Sequence, residues 1–303
     1  MKQTILIAGG TGLVGSRLIE MIDYSRYSVK ILSRSKRTDT ENVTYYVWDF
    51  GNMTIEDEAV HADYIINLNG AGIADERWTD DRKKLLISSR VNSAKLISQG
   101  LEKINHRPKA YISASAVGYY GDRGSEFLDE DSKPGSGFMA ECCIAWEESA
   151  AILSVQVDKL IINRIGIVLS TKGGALPKIL MTKAVGVYNY FGGGSQYYAW
   201  IHIDDLCRLF LRGIGTEKVE GIYNAVAPSP LTNKAFTVQI KDALNGLAAL
   251  PAPKFGLRLL LGQMANVVLN STRVISKKLS DEKFTYEFSD LQLAVKDLVD
   301  RQV

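Results

Sequence analysis

Residues 5–22 read ILIAGGTGLVGSRLIEMI. An apolar, β-branched run meets glycine at Gly9, and a helical apolar pattern begins after Gly12. Gly9, Gly12 and Gly15 stand in GxxGxxG spacing. The first two permit backbone to lie close to a pyrophosphate. The third lets a helix pack tightly on a sheet, with its N-terminus aimed at the phosphates. A plain tight turn could carry the same glycines. Here they follow a strand and open a helix, which is the context a dinucleotide site requires. Gly9, Thr11, Gly12, Leu13, Val14 and Gly15 are therefore candidate cofactor contacts.

Working outward, the first 230 residues alternate short β-branched runs with longer helical patterns, which reads as βαβ units and a parallel sheet. Strands are expected over 3–8, 28–33, 43–48, 62–68, 109–115, 159–168 and 221–227. Helical patterns cover 12–23, 79–104, 137–154 and 203–214. The fold class is α/β, a doubly wound Rossmann sheet of about seven mostly parallel strands. Pro228, Pro230, Pro251 and Pro253 follow the last strand, so the sheet ends near 228. Residues 233–300 read as mostly helical, with one strand-like piece, FTYEFS, at 284–289. Residues 170–199 lack a strand pattern and are rich in glycine and aromatics. The expected division is a Rossmann domain over 1–169 and 200–228 and a smaller substrate lobe over 170–199 and 229–303.

Bulk properties narrow the function. The chain has 303 residues, 46% hydrophobic and 23% charged, with a net charge of +2. That balance predicts a globular protein with no nucleic-acid partner. Three cysteines, two of them adjacent (Cys142, Cys143), cannot form a disulfide framework, and three scattered histidines without a CxxC pair predict no metal site. No 18-residue apolar run exists for a membrane span, and the N-terminal apolar run is too short for a signal peptide. A cytoplasmic protein with no membrane partner is expected.

The second strand ends LSRSKR (32–37). An NAD-selective site places an acid here for the ribose 2′-hydroxyl. This chain has Ser33 and Arg34 instead, and a guanidinium can grip a 2′-phosphate with two parallel hydrogen bonds. NADP (NADPH) is favoured over NAD, although a solvated basic turn would read the same way. Asp49, after the third strand, is positioned either to accept from an adenine amino group or to form a turn. In NLNGAG (67–72), Asn69, Gly70 and Ala71 again bring backbone near the cofactor.

The fifth strand ends ISASAVGYYGD (112–122), where bulky side chains give way to small ones and then to two phenols. With these pieces in order, the chain resembles the extended short-chain dehydrogenase/reductases, the group that includes nucleotide-sugar epimerases. The likeness rests on GGTGLVG (9–15), SASAVGYYG (113–121), RIGIVLS (164–170) and WIHIDDL (200–206). It is closer to an NAD-dependent epimerase/dehydratase-like subgroup with its own C-terminal segment, marked by RWT (77–79), YYGD (119–122), GGAL (173–176) and RVISKKL (273–279). The resemblance implies an NAD(P)-binding sheet whose fifth strand ends against the nicotinamide. There a serine hydroxyl contacts a reacting oxygen. By position that serine is Ser115, with Ser113 its rival on the same strand face and close to the cofactor.

In active relatives a Tyr-x-x-x-Lys pair on the next helix transfers the proton. No Tyr in this chain has Lys four residues later; the helix SGFMAECCIAWEE puts Phe138 and Cys142 at the expected positions, facing the nicotinamide. Tyr119 and Tyr120 thereby become candidate catalytic groups, helped by Arg123 or Arg164, unless they only wall the pocket. Cys142 is a poor nucleophile beside Glu141 and Glu147, which would raise a thiol pKa.

GGGSQYYAWIHIDDL (192–206) reads as a mobile loop over a small polar substrate, contributing Gln196, Trp200 and His202, the last also readable as a structural hydrogen-bonder. Arg77 and Trp78 are expected to reach the same cleft. The expectation is an NADP(H)-binding epimerase- or reductase-like protein for a small hydroxylated or carbonyl substrate, with a non-catalytic NADPH-bound sensor or scaffold as the alternative. The partner is a small molecule, with a homodimer left open.

Overall fold

The computed structural model describes residues 2–216 and 218–301. In chain order its main sheet contains β1 (Gln3–Ala8), β2 (Tyr27–Ser33), β3 (Val43–Asp49), β4 (Thr54–Ile55), β5 (Tyr64–Asn67), β6 (Ala110–Ala116), β7 (Leu160–Ile165) and β8 (Gly221–Ala225). Their spatial order is β8-β7-β6-β5-β1-β2-β3-β4. All neighbours are parallel except the short edge pair β3–β4. This is a Rossmann-like α/β fold. The chain winds outward from β1 through β2 to β3, then returns across β1 to start β5. That reversal opens a crevice at the carboxyl ends of β1 and β5, where ligands bind in such sheets.

Burial explains the unbroken apolar strands. Ile5 and Ile7 share a cluster with Leu18, Leu206 and Phe210 on one face. Leu6 and Ala8 face Leu96, Ile97 and Ala150 on the other. A strand covered on both sides has no polar alternation to show. The covering helices are α1 (Leu13–Met21) and α4 (Ile203–Gly215) on the first face, and α2 (Asp80–Ile104) and α3 (Phe138–Ala151) on the second. Their ends are encoded locally. The Thr79 side chain accepts from Arg82 N at 3.1 Å to cap α2, Asp80 and Asp81 occupy its positive first turn, and Asn105 ends it in the left-handed region at φ 50°.

Three expectations change. The run 159–168 divides at Gly166: β7 stays in the sheet, while Ile167–Leu169 pairs with Trp200–His202. A Cβ at Gly166 would lie 2.7 Å from Ala199 O, so only glycine allows the chain to cross there. Residues 170–199 do contain a strand, Val187–Phe191, paired in parallel with Ala248–Ala252. The piece at 284–289 is not a strand. Phe284, Tyr286 and Phe288 do pack on the core, but the Glu287 and Phe288 amides each donate to the buried Asp205 carboxylate at 2.9 Å. A side chain takes the place of a neighbouring strand.

The other helices of eight residues or more among the described residues are α5 (Asn233–Ala243), α6 (Lys254–Leu261) and α7 (Leu291–Asp300), with short helices at Asp57–Val60, Ala175–Leu180, Asn266–Leu269 and Lys277–Asp281. Helix α7 packs on α5 and joins the sheet's own core through Leu291, Ala294, Val295 and Leu298. Segments 170–199 and 229–301 add no strand to the eight-stranded sheet. No helix among the described residues is long and apolar enough to cross a membrane.

Candidate functional site

The glycine turn has the shape a pyrophosphate needs. Gly9 adopts φ +80°, and a Cβ there would press on the Leu68 carbonyl carbon at 2.9 Å. At Gly15 a Cβ would meet Gly9 O at 2.4 Å and Gly10 Cα at 2.6 Å, so α1 lies against the turn itself. A Cβ at Gly12 would meet nothing closer than Gly9 O at 3.3 Å, leaving backbone open toward the crevice. No side chain caps α1 and no acid stands in its first turn, so its N-terminus can receive an anion. A cavity of about 400 Å³, lined in part by Thr11, Gly12, Leu13, Ser170 and Arg301, opens beside it. Val14 continues into the helix and packs on the core.

The loop after β5 is held against this turn. Asn69 Nδ2 donates to Ser89 O at 2.9 Å and its backbone N–H to Asn67 Oδ1 at 3.1 Å. Ala71 N donates to Ser89 Oγ at 3.0 Å, and Arg90 lies so close to Gly70 that a Cβ would sit 2.9 Å from its guanidinium carbon. Gly9, Asn69, Gly70 and Ala71 thus meet at one end of the sheet. Ser33 is buried at the end of β2 and hydrogen-bonds Ser35 O, while Arg34 stands exposed. Asp49 is a turn-former: Oδ1 accepts from Gly51 N at 2.7 Å and Oδ2 from Asn52 Nδ2 at 2.7 Å. Those bonds hold its carboxyl below the usual carboxylate range, and the carboxylate remains exposed.

At the end of β6 the structure revises the serine assignment. Ser115, 1% exposed, donates to Glu147 Oε1 at 2.6 Å, so its proton is directed into the protein rather than toward a substrate oxygen. Ser113 Oγ donates to Ala114 O at 2.9 Å. Glu147 is clamped by Arg164 through Nε–Oε1 and Nη2–Oε2, both 2.8 Å. The remaining nitrogen, Nη1, donates to Tyr120 Oη at 2.9 Å. Tyr120 is also within 2.7 Å of Asn224 Oδ1 and 2.8 Å of Asp129 O. Burial pushes its phenol up to about 12. It is fully buried in a satisfied network and cannot meet a substrate. Arg123 pairs with Glu126 at 2.7 Å and takes no part.

Tyr119 differs. It is half-buried, its ring stacks on the Arg164 guanidinium at 3.5 Å, and it meets Tyr120 edge-on at 5.3 Å. Sequence reasoning did not find Glu147 and Asn224 as partners. The available signal was one arginine inside a largely apolar strand, which needs a buried counter-charge.

Helix α3 is rolled differently from the expectation. Cys142 faces α2, its Sγ 3.9 Å from Leu86 O, and burial pushes its thiol up. Cys143 and Met139 are the side chains that approach Gly118 beside the β6 end. Cys142 is removed from the site. Phe138 packs at 4.9 Å on Trp78, whose Nε1 donates to Ile73 O at 2.9 Å. Arg77 Nη2 donates to Leu259 O at 3.3 Å, bridging the β5 loop to α6.

The segment 192–206 is not a free loop. Gln196, Trp200 and His202 are buried. Gln196 Nε2 lies 3.3 Å from Asn233 Oδ1. His202 accepts from Asp204 N through Nδ1 at 3.1 Å, capping α4, and stacks on Phe288 at 3.9 Å. All three side chains are buried inside the protein and are removed from the substrate set.

The chain resembles known proteins over nearly its whole length. Residues 252–298 match a domain of unknown function, DUF1731. An epimerase family protein of Staphylococcus saprophyticus is 34% identical over 296 residues, covering 97% of this chain and 98% of that one. The crystal structure of human epimerase family protein SDR39U1 (isoform 2) with NADPH superposes with a TM-score of 0.87 at 27% identity, covering 98% and 99% of the two chains. A nucleoside-diphosphate sugar epimerase from Corynebacterium glutamicum gives a TM-score of 0.78 at 29% identity, with 98% of this chain matching 58% of that one. With residues 5–225, glycine turn to last sheet strand, matching the NAD dependent epimerase/dehydratase family, the chain belongs to that family.

Proposed function

We propose that the protein is an NADP(H)-dependent oxidoreductase or epimerase-like enzyme for a small hydroxylated or carbonyl substrate, with Tyr119 as its proton donor. The observation that carries this is the Tyr119–Arg164 stack at 3.5 Å. Of the hydroxyls at the end of β6, those of Ser113, Ser115 and Tyr120 are engaged inside the protein. The Tyr119 hydroxyl makes no hydrogen bond among the described residues. A neutral phenol is the form needed to protonate an oxygen, so the absent lysine is no obstacle.

Gly9–Gly15 would cradle the pyrophosphate, and Arg34 would meet a 2′-phosphate. Bound there, NADPH would supply the hydride for a substrate carbonyl carbon. Tyr119 gives its proton to the carbonyl oxygen, the product is the alcohol, and the phenol is refilled from water. Arg164 fixes the ring's orientation from below, and Glu147 fixes Arg164. The human relative with NADPH supports the choice of cofactor.

The test is NADPH oxidation by the purified protein across aldehydes, ketones and oxidised sugars. With a substrate found, Tyr119→Phe should lose about 10²–10⁴-fold in kcat, the usual contribution of general acid catalysis. Turnover unchanged in Tyr119→Phe would refute the assignment. A second reading, an NADPH-bound sensor or scaffold, is favoured by the Ser115–Glu147 bond and by the lack of any Tyr-x-x-x-Lys pair in the sequence. It predicts tight NADPH binding with no turnover of any compound in the series.

A further inference from the structure

The outer surface around α6 is unlike the rest of the molecule. Every residue of α6, KFGLRLLL, is at least partly exposed. Phe255, Leu259 and Leu260 stand 78%, 71% and 70% clear of the chain. The helix adjoins a second exposed segment. Val187–Phe191 pairs with Ala248–Ala252, and Leu247 N donates to Gly186 O at 2.7 Å. That contact brings Leu247, 82% exposed, beside the stretch carrying Met181 and Val185, 80% and 63% exposed. A small substrate in a crevice cannot cover six side chains that project this far.

Charge is segregated in the same place. Residues 173–199 and 244–262 contain four cations, Lys178, Lys183, Lys254 and Arg258, and no Asp or Glu. Lys178, Lys183, Lys254 and Arg258 flank the apolar side chains and form no ion pair among the described residues. On α6, Phe255 and Leu259 form one i, i+4 ridge and Lys254 and Arg258 the next. An apolar ridge bordered by long cationic side chains matches helices that lie in a lipid headgroup layer, where lysine and arginine stems extend to the phosphates.

We propose that this face docks on an anionic lipid bilayer. A projecting ridge sinks into a fluid surface, whereas a protein partner would have to present a matching groove. A two-fold contact with a second copy would set the same cations against one another. The attachment is peripheral and needs no spanning segment.

The test is co-sedimentation of the full-length protein with vesicles of phosphatidylcholine alone and of phosphatidylcholine and phosphatidylglycerol in about equal parts. Binding is expected only to the anionic vesicles, with release in high salt. Lys254→Glu/Arg258→Glu should weaken it by at least about 25-fold, roughly fivefold per cation lost. Phe255→Ser/Leu259→Ser should weaken it by about tenfold or more while NADPH binding stays at the wild-type value, showing that the fold is intact. Failure to pellet with anionic vesicles would overturn the proposal, as would binding unchanged in both double variants. So would a wild-type dimer in light scattering that Phe255→Ser/Leu259→Ser converts to monomer, since a second copy then covers the face.

Discussion

Arg164 serves Glu147 and Tyr119 at once: its guanidinium grips the Glu147 carboxylate with two 2.8 Å bonds while its face lies 3.5 Å from the Tyr119 ring centroid. Only 2% of Arg164 and 9% of Glu147 is exposed. The pair therefore sits where an unmatched charge is costly, directly beneath the proposed proton donor. Its position at the β6–β7 register Ser115↔Arg164 ties strand pairing to the site.

Glu147→Gln should destabilise the protein by about 3–5 kcal/mol, the usual cost of leaving one member of a buried ion pair unmatched. The Ser115 hydroxyl would lose its carboxylate acceptor in the same step. Urea unfolding of wild type and variant measures it. A difference under about 1 kcal/mol would mean that the charge is screened by water and the network is not a support for Tyr119.

Two glycines of the same turn should respond differently to one methyl group. Gly15→Ala drives a Cβ into the backbone of Gly9 and Gly10, which cannot yield, and should cost about 1–3 kcal/mol of stability as overpacking does. Gly12→Ala meets only Gly9 O at 3.3 Å. It should fold as wild type but bind NADPH about tenfold or more weakly, because in the proposed site the methyl would stand where the pyrophosphate approaches. Equal unfolding midpoints for the two variants would contradict this division.

Much of this architecture was legible from local chemistry. The GxxGxxG turn, the strand runs and the small residues at the end of β6 each act through near neighbours, and those neighbours are fixed by the chain. The site was less legible because its determinants are distant. Ser115 looked available until Glu147, 32 residues on, reached it from α3. The roll of α3 decided whether Cys142 or Cys143 faced the β6 end, and the alternation in that helix is too weak to fix its roll. The strand Val187–Phe191 was hidden between glycines, and FTYEFS shows a strand's alternation while giving two amides to Asp205.

The proposed choice of NADPH over NADH rests on Arg34. With no acid closing β2 and an exposed guanidinium beside Ser33, NADPH should bind more tightly than NADH. A charge-assisted contact contributes about 1.5–3 kcal/mol, roughly 10- to 100-fold. Titrating both cofactors against wild type and Arg34→Ala checks it. Arg34→Ala should lose affinity for NADPH alone, and equal wild-type affinities would rule out a 2′-phosphate site here.

His202 should make stability depend on mildly acidic pH. The ring is fully buried, with Nδ1 accepting from Asp204 N at 3.1 Å and Nε2 3.3 Å from Asp297 Oδ2. Burial is the largest influence and lowers its pKa; the nearby Asp204 and Asp297 carboxylates oppose this and Arg301 reinforces it, leaving the folded value below the ordinary 6.5. The unfolded chain therefore takes up a proton before the folded one does. The sign follows: the stabilisation is complete above about pH 6.5, the unfolded value, and is lost as pH falls from there through the lower folded value. Asp204 adds a second loss at lower pH. Burial would raise its carboxyl, but hydrogen bonds from Arg17 and Arg301 outweigh that and hold it below the usual range. Its stabilisation is present above the unfolded carboxylate pKa, about 3.9, and disappears as pH falls through the folded value. Thermal unfolding from pH 8 to 5.5 isolates the first event. Wild-type Tm should decline below about pH 6.5. His202→Asn keeps a short polar cap for α4 without a titrating group, so its Tm should be lower at pH 8 yet flat between about pH 6.5 and 5.5. A wild-type slope that survives in His202→Asn would assign the proton uptake to another group.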